Sequence, residues 1–366
     1  MSEGETVAFL SNGASYGCPE ETVERVETHC SVVFLVGEHA FKLKRPVAFS
    51  ALDYRTVAKR EEACRREVEI NRRTAPDLYL GVQAIRRDER GTLSLEGSGP
   101  VVDWVVVMRR FDRTKLFDRL ADRGLLTPTL MLALAEEIAR LHQSAPATPS
   151  FGGSHGIRDA IERNRADQAT TASVLSPELI ADLHARSLSA LDRVASLLDE
   201  RRVSGLVRLC HGDLRLANIC LYHGHPTPFD AIEFADHLSR IDVLYDLAFL
   251  LMDLEQRGLH GHAQSVIEHY METTQDRAGL PALPLLISVR AGTRAYAVAA
   301  SSLRRADPHE AAALAKSARD LMALALSLLD ERSSRWVSFG AAAAAPGSAD
   351  PSPRRQEAGE TQHKRG

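Results

Sequence analysis

Two short apolar runs, Gly205-Leu206-Val207-Arg208-Leu209-Cys210 and Ile219-Cys220-Leu221-Tyr222, bracket one polar stretch, His211-Gly212-Asp213-Leu214-Arg215-Leu216-Ala217-Asn218. Runs this short suit strands better than helices. Strand, loop and strand would place Asp213 and Asn218 on one rim. The two residue types suit a shared task. An Asp can accept the proton of an attacking hydroxyl, and an Asn five residues later can hold a magnesium ion. That pair alone is common and says little. It gains meaning from the acidic segment Pro228-Phe229-Asp230-Ala231-Ile232-Glu233-Phe234, read as a strand after a tight hairpin around His223-Gly224-His225-Pro226. Asp230 or Glu233 would supply the further carboxylate for a metal that bridges phosphates. They are three apart, so a regular strand would not aim both into one cleft, whereas a bulge could.

These residues resemble the aminoglycoside phosphotransferase family and its relatives, the choline, homoserine and fructosamine kinases. That family reads H-G-D-x-x-x-x-N, then an apolar strand ending in a metal-binding Asp, then a D-L-A helix start. Here Tyr245-Asp246-Leu247-Ala248-Phe249-Leu250 supplies the third element, so all three follow in order across residues 211 to 250. The subgroup with an F-D-x-I-E-F strand and an F-K-L-K-R-P-V hairpin is most similar. Its members often carry a P-loop kinase domain downstream. No G-x-x-x-x-G-K-[ST] occurs here, so that domain is expected to be absent. The resemblance implies an α+β, bilobal protein-kinase-like fold, with a small antiparallel-sheet N-lobe and a mainly helical C-lobe. It implies ATP and Mg2+ as cofactors and transfer of the γ-phosphoryl group to a hydroxyl of a small molecule.

Periodicity along the chain agrees. Pro19 to Val26 reads as a short helix, Ser31–Val36 and His39–Lys44 as a hairpin, and Tyr54 to Thr74 as a long charged helix closed by Ala75-Pro76. Strands are expected at Gly81–Arg86, Thr92–Glu96 and Asp103–Met108, which gives a five-stranded sheet with one helix. Residues 1–108 would form the N-terminal lobe that clamps ATP. The C-terminal lobe, 109–335, would carry the catalytic loop, metal site and acceptor pocket. Thr127 is a plausible N-cap with Pro128 at the first helical position, opening a helix through His142. Helices follow at Ile157–Gln168 and Pro177–Val203, then near 244–257, 259–276, 283–304 and 308–331. The Ala-, Pro- and Ser-rich stretch 340–366 has the composition of a disordered tail.

The resemblance also places the rest of a site. Phosphoryl transfer is mostly positioning and charge neutralisation. Phe41-Lys42-Leu43-Lys44 puts two lysines on one strand face. Ala40-x-Lys42 matches the A-x-K of kinase strands, so Lys42 is the first choice for the phosphates and Lys44 the alternative. Glu67, in Arg66-Glu67, is the expected partner of that lysine. Ser31, after Thr28-His29-Cys30, is the nearest substitute for a missing Gly-rich loop, and Met108 would adjoin the nucleotide at the lobe crossing. Asp213 would be the base, and Arg215 either a cation for the migrating group or a surface or substrate-contacting arginine. Asn218 and Asp230 would hold metal, with Glu233 as the alternative to Asp230. Asp246 is expected to cap its helix and brace the catalytic loop, and His142 to be structural. Gly152–Gly156, Asp253 and Arg294 are positional candidates for the acceptor pocket. No D-F-G or A-P-E occurs, which argues against a protein acceptor.

Composition excludes other classes. Lys and Arg number 45 against 49 Asp and Glu, a net charge of −4, so no nucleic-acid footprint is expected. No apolar run reaches membrane-spanning length, and the N-terminus lacks a signal-peptide pattern. A cytoplasmic location is expected, with no partner protein evident. Five cysteines without a C-x-x-C do not suggest zinc or redox chemistry. Cys210 and Cys220 are expected to be buried fillers. The alternative function is a catalytically weak nucleotide-binding regulator of the same fold.

Overall fold

The computed structural model describes residues 3–28, 30–49 and 52–330. Helix α1 (Glu3–Leu10) leads to strands β1 (Glu24–Glu27), β2 (Ser31–Val36) and β3 (His39–Lys44), then to the two-residue strands β4 (Ala48–Phe49) and β5 (Leu52–Asp53). Helix α2 (Val57–Asn71) and strands β6 (Tyr79–Arg87), β7 (Leu93–Ser94) and β8 (Val101–Arg109) complete the small lobe. Its sheet is antiparallel and six-stranded, in the order β1-β2-β3-β8-β6-β7.

Strand β1 corrects the expected helix at Pro19–Val26 and adds a strand to the expected five. Its residues Glu24 to Glu27 pair with Leu35 to Val32. Strand β2 is apolar and mostly buried, so its outer edge needs partners for its amides. A short charged strand meets that need and is itself poorly disposed to pair with another chain. Helix α1, which was not anticipated, packs Leu10 among Phe34, Leu43 and Val105.

Helix α2 lies against β6 and β8. It is fixed by Arg60, whose guanidinium donates twice to Asp103 of β8, at 2.7 and 3.0 Å, in a buried pair. Glu67 lies seven residues on, two turns later along the same face. The clamp therefore aims Glu67 under the sheet.

Past the crossing, the large lobe begins with α3 (Phe117–Asp122), α4 (Pro128–Ser144), α5 (Gly153–Ala169) and α6 (Pro177–Val203). Short elements follow: β9 (Val207–Leu209), β10 (Ile219–Tyr222), β11 (His225–Pro228), the single turn α7 (Asp236–Ser239) and β12 (Arg240–Asp242). Helices α8 (Val243–Gln256), α9 (His260–Thr274), α10 (Leu283–Ser302) and α11 (Pro308–Leu328) close the lobe. The Thr127 hydroxyl accepts from Leu130 N at 3.3 Å, the expected cap of α4. Buried Arg201 on α6 donates to both Asp242 and Asp276, joining α6 to the start of α8 and the entry to α10. Among the described residues no helix is long and apolar enough to cross a membrane. The stretch 340–366, and residues 331–335 of the expected C-lobe, lie outside the described residues.

Strands β10 and β11 form the expected hairpin. Its turn residues His223 and Gly224 have φ of 48° and 83°, the paired positive values that a tight two-residue hairpin turn requires. The expected strand at Pro228–Phe234 is not there. Pairing stops at Pro228, and Asp230 has a φ of 60°, which turns the chain out of any ladder.

Helix α8 is buried along almost its whole length. Its cap is Asp242, which accepts from Leu244 N at 2.8 Å, so the capping half of the Asp246 expectation is corrected. The bracing half holds. Asp246 accepts from His211 N at 2.9 Å and Gly212 N at 2.8 Å, and meets His142 Nε2 at 3.1 Å. His142 Nδ1 in turn meets the Tyr270 hydroxyl at 2.9 Å. Burial alone would raise the Asp246 carboxyl. The hydrogen bond from His142 and nearby cationic groups bring it down from 3.8 to about 2.

A carboxylate with a depressed native pKa contributes stability that is present above its unfolded pKa of about 3.9 and lost as pH falls through the native value. For this fully buried group that amounts to about 2 kcal/mol. Asp246→Asn is therefore expected to lower stability at neutral pH by at least about that much. It should also flatten the loss of stability between about pH 4 and pH 2. Urea denaturation at a series of pH values measures both, and an unchanged acid profile would contradict the assignment.

Candidate active site

The polar stretch forms a loop held from behind. Cys210 N donates to Ser239 O at 2.7 Å, and Ile232 N donates to His211 O at 2.9 Å. His211 Nδ1 accepts from Asp213 N at 3.3 Å, while Nε2 lies 2.9 Å from Phe229 O. An amide can only donate and a carbonyl can only accept, so the ring is neutral with its proton on Nε2. Burial lowers its pKa, consistent with that form. Gly212 has a φ of 85°, and a Cβ there would come within 2.8 Å of Leu238 O and 3.2 Å of Ile232 Cβ. Only glycine fits this turn against the 232–238 segment.

Asp213 and Asn218 meet, as their spacing implied. Asn218 Nδ2 donates to Asp213 O at 2.9 Å and to Asp213 Oδ2 at 2.8 Å. Both partners are acceptors, so the amide nitrogen faces them and Oδ1 points elsewhere, with no hydrogen bond among the described residues. Arg215 grips Asp213 with two bonds, Nε to Oδ1 at 2.7 Å and Nη2 to Oδ2 at 2.9 Å. Burial acts to raise the Asp213 pKa, but the Arg215 charge and hydrogen bonds, with smaller help from Arg294, hold it well below the carboxylate range. Leu216 N donates to Asp253 Oδ2 at 3.0 Å, so Asp253 supports the far side of the loop.

The two lysines of β3 share one carboxylate. Lys42 Nζ lies 2.7 Å from Glu67 Oε1, and Lys44 Nζ lies 2.6 Å from Glu67 Oε2. Glu67 has no exposed surface. Lys42 also meets Asp230 Oδ1 at 2.5 Å, across the cleft. Lys44 instead pairs with Glu233, which also accepts from the Tyr54 hydroxyl at 2.6 Å. Burial opposes the charge on both lysines. The carboxylates overcome it, and both pKa values lie well above the lysine range. The same lysines hold Glu67 well below its usual value against the effect of burial.

The candidates therefore separate by exposure. Lys44 is 2% exposed and Glu233 5%, both spent on internal partners. The side chain of Asp230 is 45% exposed and that of Lys42 15%. Met108 pairs with Ala40 in the β3–β8 ladder, so it shares the sheet face of Lys42, two residues from Ala40. Ser31 pairs with Lys44 and is buried, and its N–H is taken by the Thr28 hydroxyl at 3.0 Å. Gly152–Gly156 is not brought to the loop, because it packs against Val207 and Asp199 instead. A cavity of about 620 Å³ lies at the crossing beyond Met108, lined by Gly37, Glu38, Arg109, Arg110, Phe111 and His223. It stops short of Lys42, where the contact with Asp230 draws the two sides of the cleft together.

Sequence reasoning missed the residues that hold the 228–236 segment in place. Asn71 Oδ1 accepts from Ala231 N at 2.9 Å, Tyr79 OH accepts from Asp230 N at 3.2 Å, and the Thr74 hydroxyl donates to Pro228 O at 2.7 Å. These contacts join residues about 150 positions apart. No local spacing could have signalled them.

Comparison with known proteins places this geometry in a family. Residues 53–283 match the family described as APH, phosphotransferase enzyme family. Uncharacterized proteins of Mycobacterium tuberculosis and Mycobacterium bovis are 31% identical over 280 residues, which is 75% of this chain. The chain spans about half the length of these relatives, 54%. Among solved structures, choline kinase from Cryptosporidium parvum aligns with a TM-score of 0.52 at 12% identity, covering 92% of this chain and 98% of that one. A thermostable mutant of aminoglycoside phosphotransferase APH(4)-Ia aligns with a TM-score of 0.50 at 16% identity, covering 86% and 98%. At such identities the likeness is one of fold, and it agrees with the sheet-plus-helices architecture described above. The loop of Asp213 and Asn218, the lysine–glutamate contact beneath the sheet and the sequence match together show that this chain belongs to the phosphotransferase enzyme family.

Proposed function

We propose that this chain is an ATP- and magnesium-dependent phosphotransferase that moves the γ-phosphoryl group to a hydroxyl of a small molecule. Residues up to 108 would clamp the nucleotide, and residues from 109 to 335 would carry the chemistry. The observation that carries this reading is Lys42, whose ammonium meets Glu67 of the small lobe and Asp230 of the large lobe at once. A phosphoryl group in transit spreads negative charge over its oxygens and needs a fixed cation beside it. Lys42 is oriented by a buried carboxylate and still reaches the cleft, whereas Lys44 is enclosed. The fold relatives named for choline and for aminoglycosides support a small-molecule acceptor.

The donor set fits magnesium, which prefers oxygen ligands and carboxylates. Asn218 Oδ1 has no hydrogen bond among the described residues, and Asp230 presents a half-exposed carboxylate. Glu233 is consumed by Lys44 and Tyr54, which favours Asp230 as the ligand. A bound magnesium ion would neutralise charge on the nucleotide phosphates. In the transfer, the acceptor oxygen bonds to the γ-phosphorus, the bond to the bridging oxygen of ADP breaks, and the hydroxyl proton passes to Asp213. Arg215 occupies both Asp213 oxygens in this structure. Turning that guanidinium toward the migrating group would give two charge-assisted bonds to phosphoryl oxygens and release one carboxylate oxygen for the proton.

Asp213→Asn keeps shape and removes the base. Turnover is expected to fall by about 10²–10⁴-fold, with Mg-ATP affinity by calorimetry close to that of the parent protein. Full-rate turnover would remove Asp213 from the role. Asp230→Asn is expected to weaken metal-dependent nucleotide binding. Glu233→Gln should instead lower folding stability by about 3–5 kcal/mol, because it leaves part of a buried ion pair uncompensated. If calorimetry and denaturation show the reverse pattern, the metal role moves to Glu233.

A further inference from the structure

Around the catalytic loop on the α10 side, the carboxylates already have close partners, and two arginines have no ion pair among the described residues. Asp213 is held by Arg215 and Asn218, and Asp246 by His142 and two backbone amides. Asp253 accepts from Leu216 N and from Arg257 at 3.1 Å. Arg257 is further paired with Asp122 at 2.7 Å. Two arginines one turn apart on α10 remain. Arg290 is 5% exposed. Its Nε donates to Tyr245 O at 3.0 Å, and its guanidinium lies 3.9 Å from the Tyr245 ring centroid and 4.6 Å from that of Phe249. Its Nη2 is buried with no hydrogen-bond partner among the described residues. Phe249 also carries the Arg215 guanidinium, 5.5 Å from its ring centroid. Arg294 is half-buried and has neither a hydrogen bond nor an ion pair among the described residues. Burial first, and then repulsion from Arg215, lower its pKa to about 10, so it stays charged at neutral pH in a place that disfavours the charge.

We propose that the acceptor carries an anionic group, a carboxylate or a phosphate, close to the hydroxyl that is phosphorylated, and that Arg294, backed by Arg290, recognises it. This rests on the phosphotransferase reading and narrows its acceptor class. A cation kept partly out of water beside a second cation is stabilised when an anion arrives, and a guanidinium matches a carboxylate or phosphate with two parallel bonds. A cationic acceptor would need a carboxylate not already paired, and Asp213, Asp246 and Asp253 are all engaged. The buried Phe249 ring lies against both the Arg215 and the Arg290 guanidinium groups.

The test uses matched acceptors with the full chain and Mg-ATP: D-glycerate against glycerol, glucose 6-phosphate against glucose, and ethanolamine as the cationic member. Turnover and calorimetric binding are both recorded. At least one anionic compound should bind and be phosphorylated with kcat/KM roughly 10-fold or more above its neutral counterpart. Arg294→Gln should reduce that kcat/KM by roughly 10–100-fold, mainly through KM. Arg294→Lys should recover part of the loss, and Mg-ATP affinity should not change. Preference for glycerate over glucose 6-phosphate, or the reverse, identifies which anion is meant. Equal or better use of neutral or cationic acceptors overturns the proposal, as does failure of every anionic compound to bind or react. Loss of Mg-ATP affinity in Arg294→Gln also overturns it, because the arginine would then serve the nucleotide. If the parent protein does not bind Mg-ATP, it is the underlying phosphotransferase reading that fails.

Discussion

Residues 228–236 are the segment on which the two lobes meet. From the small lobe, Lys42, Lys44, Tyr54, Arg66, Asn71, Thr74 and Tyr79 all bond to it. From the large lobe, His211 and Asn218 hold its backbone at Ile232 and Phe229. At its centre two lysines face three carboxylates, Glu67, Asp230 and Glu233. Buried ion pairs contribute little net stability compared with well-packed apolar groups, yet removing one partner is costly because the other is left charged and dry. Such a cluster therefore specifies geometry more than it adds stability. It fixes the height of the sheet above the catalytic loop, and the apolar packing of α8 and α10 underneath supplies the cohesion.

The cleft is polarised by this arrangement. The sheet side has one more carboxylate than lysines, a deficit that a divalent cation would correct. On the α10 side, Arg290 and Arg294 have no ion pair among the described residues. Both imbalances sit where low dielectric strengthens charge–charge interaction. On the function proposed above, the opposite signs would favour positive charge beneath β3 and negative charge beside α10.

Much of this was legible in the sequence where the signal is local. The spacing of Asp213 and Asn218 survives as a direct hydrogen bond. The alternation in β3 put Lys42 and Lys44 on one face, where both find Glu67. Thr127-Pro128 marked a helix start. Local patterning failed where tertiary contacts decide. Glu24-Arg25-Val26-Glu27 has no strong strand character, and only the exposed edge of β2 makes it a strand. Pro228–Phe234 looks like a strand, but its pairing ends where Asp230 turns. Whether Asp230 or Glu233 faces the cleft depended on that turn, as did the difference between Lys42 and Lys44. That Arg290 and Arg294 of α10 have no ion pair among the described residues follows from what lies around them, which spacing does not reveal.

Asp230 occupies a backbone conformation that glycine adopts freely and that costs other residues of the order of 1 kcal/mol. Aspartate is among the few side chains that tolerate it, because a short polar group can bond locally. Glycine here would relax the turn but would also leave Lys42 with one carboxylate fewer. At position 230 a carboxylate is thus held at the cleft in a backbone conformation it does not favour, and the Tyr79 and Lys42 contacts from the small lobe keep it there.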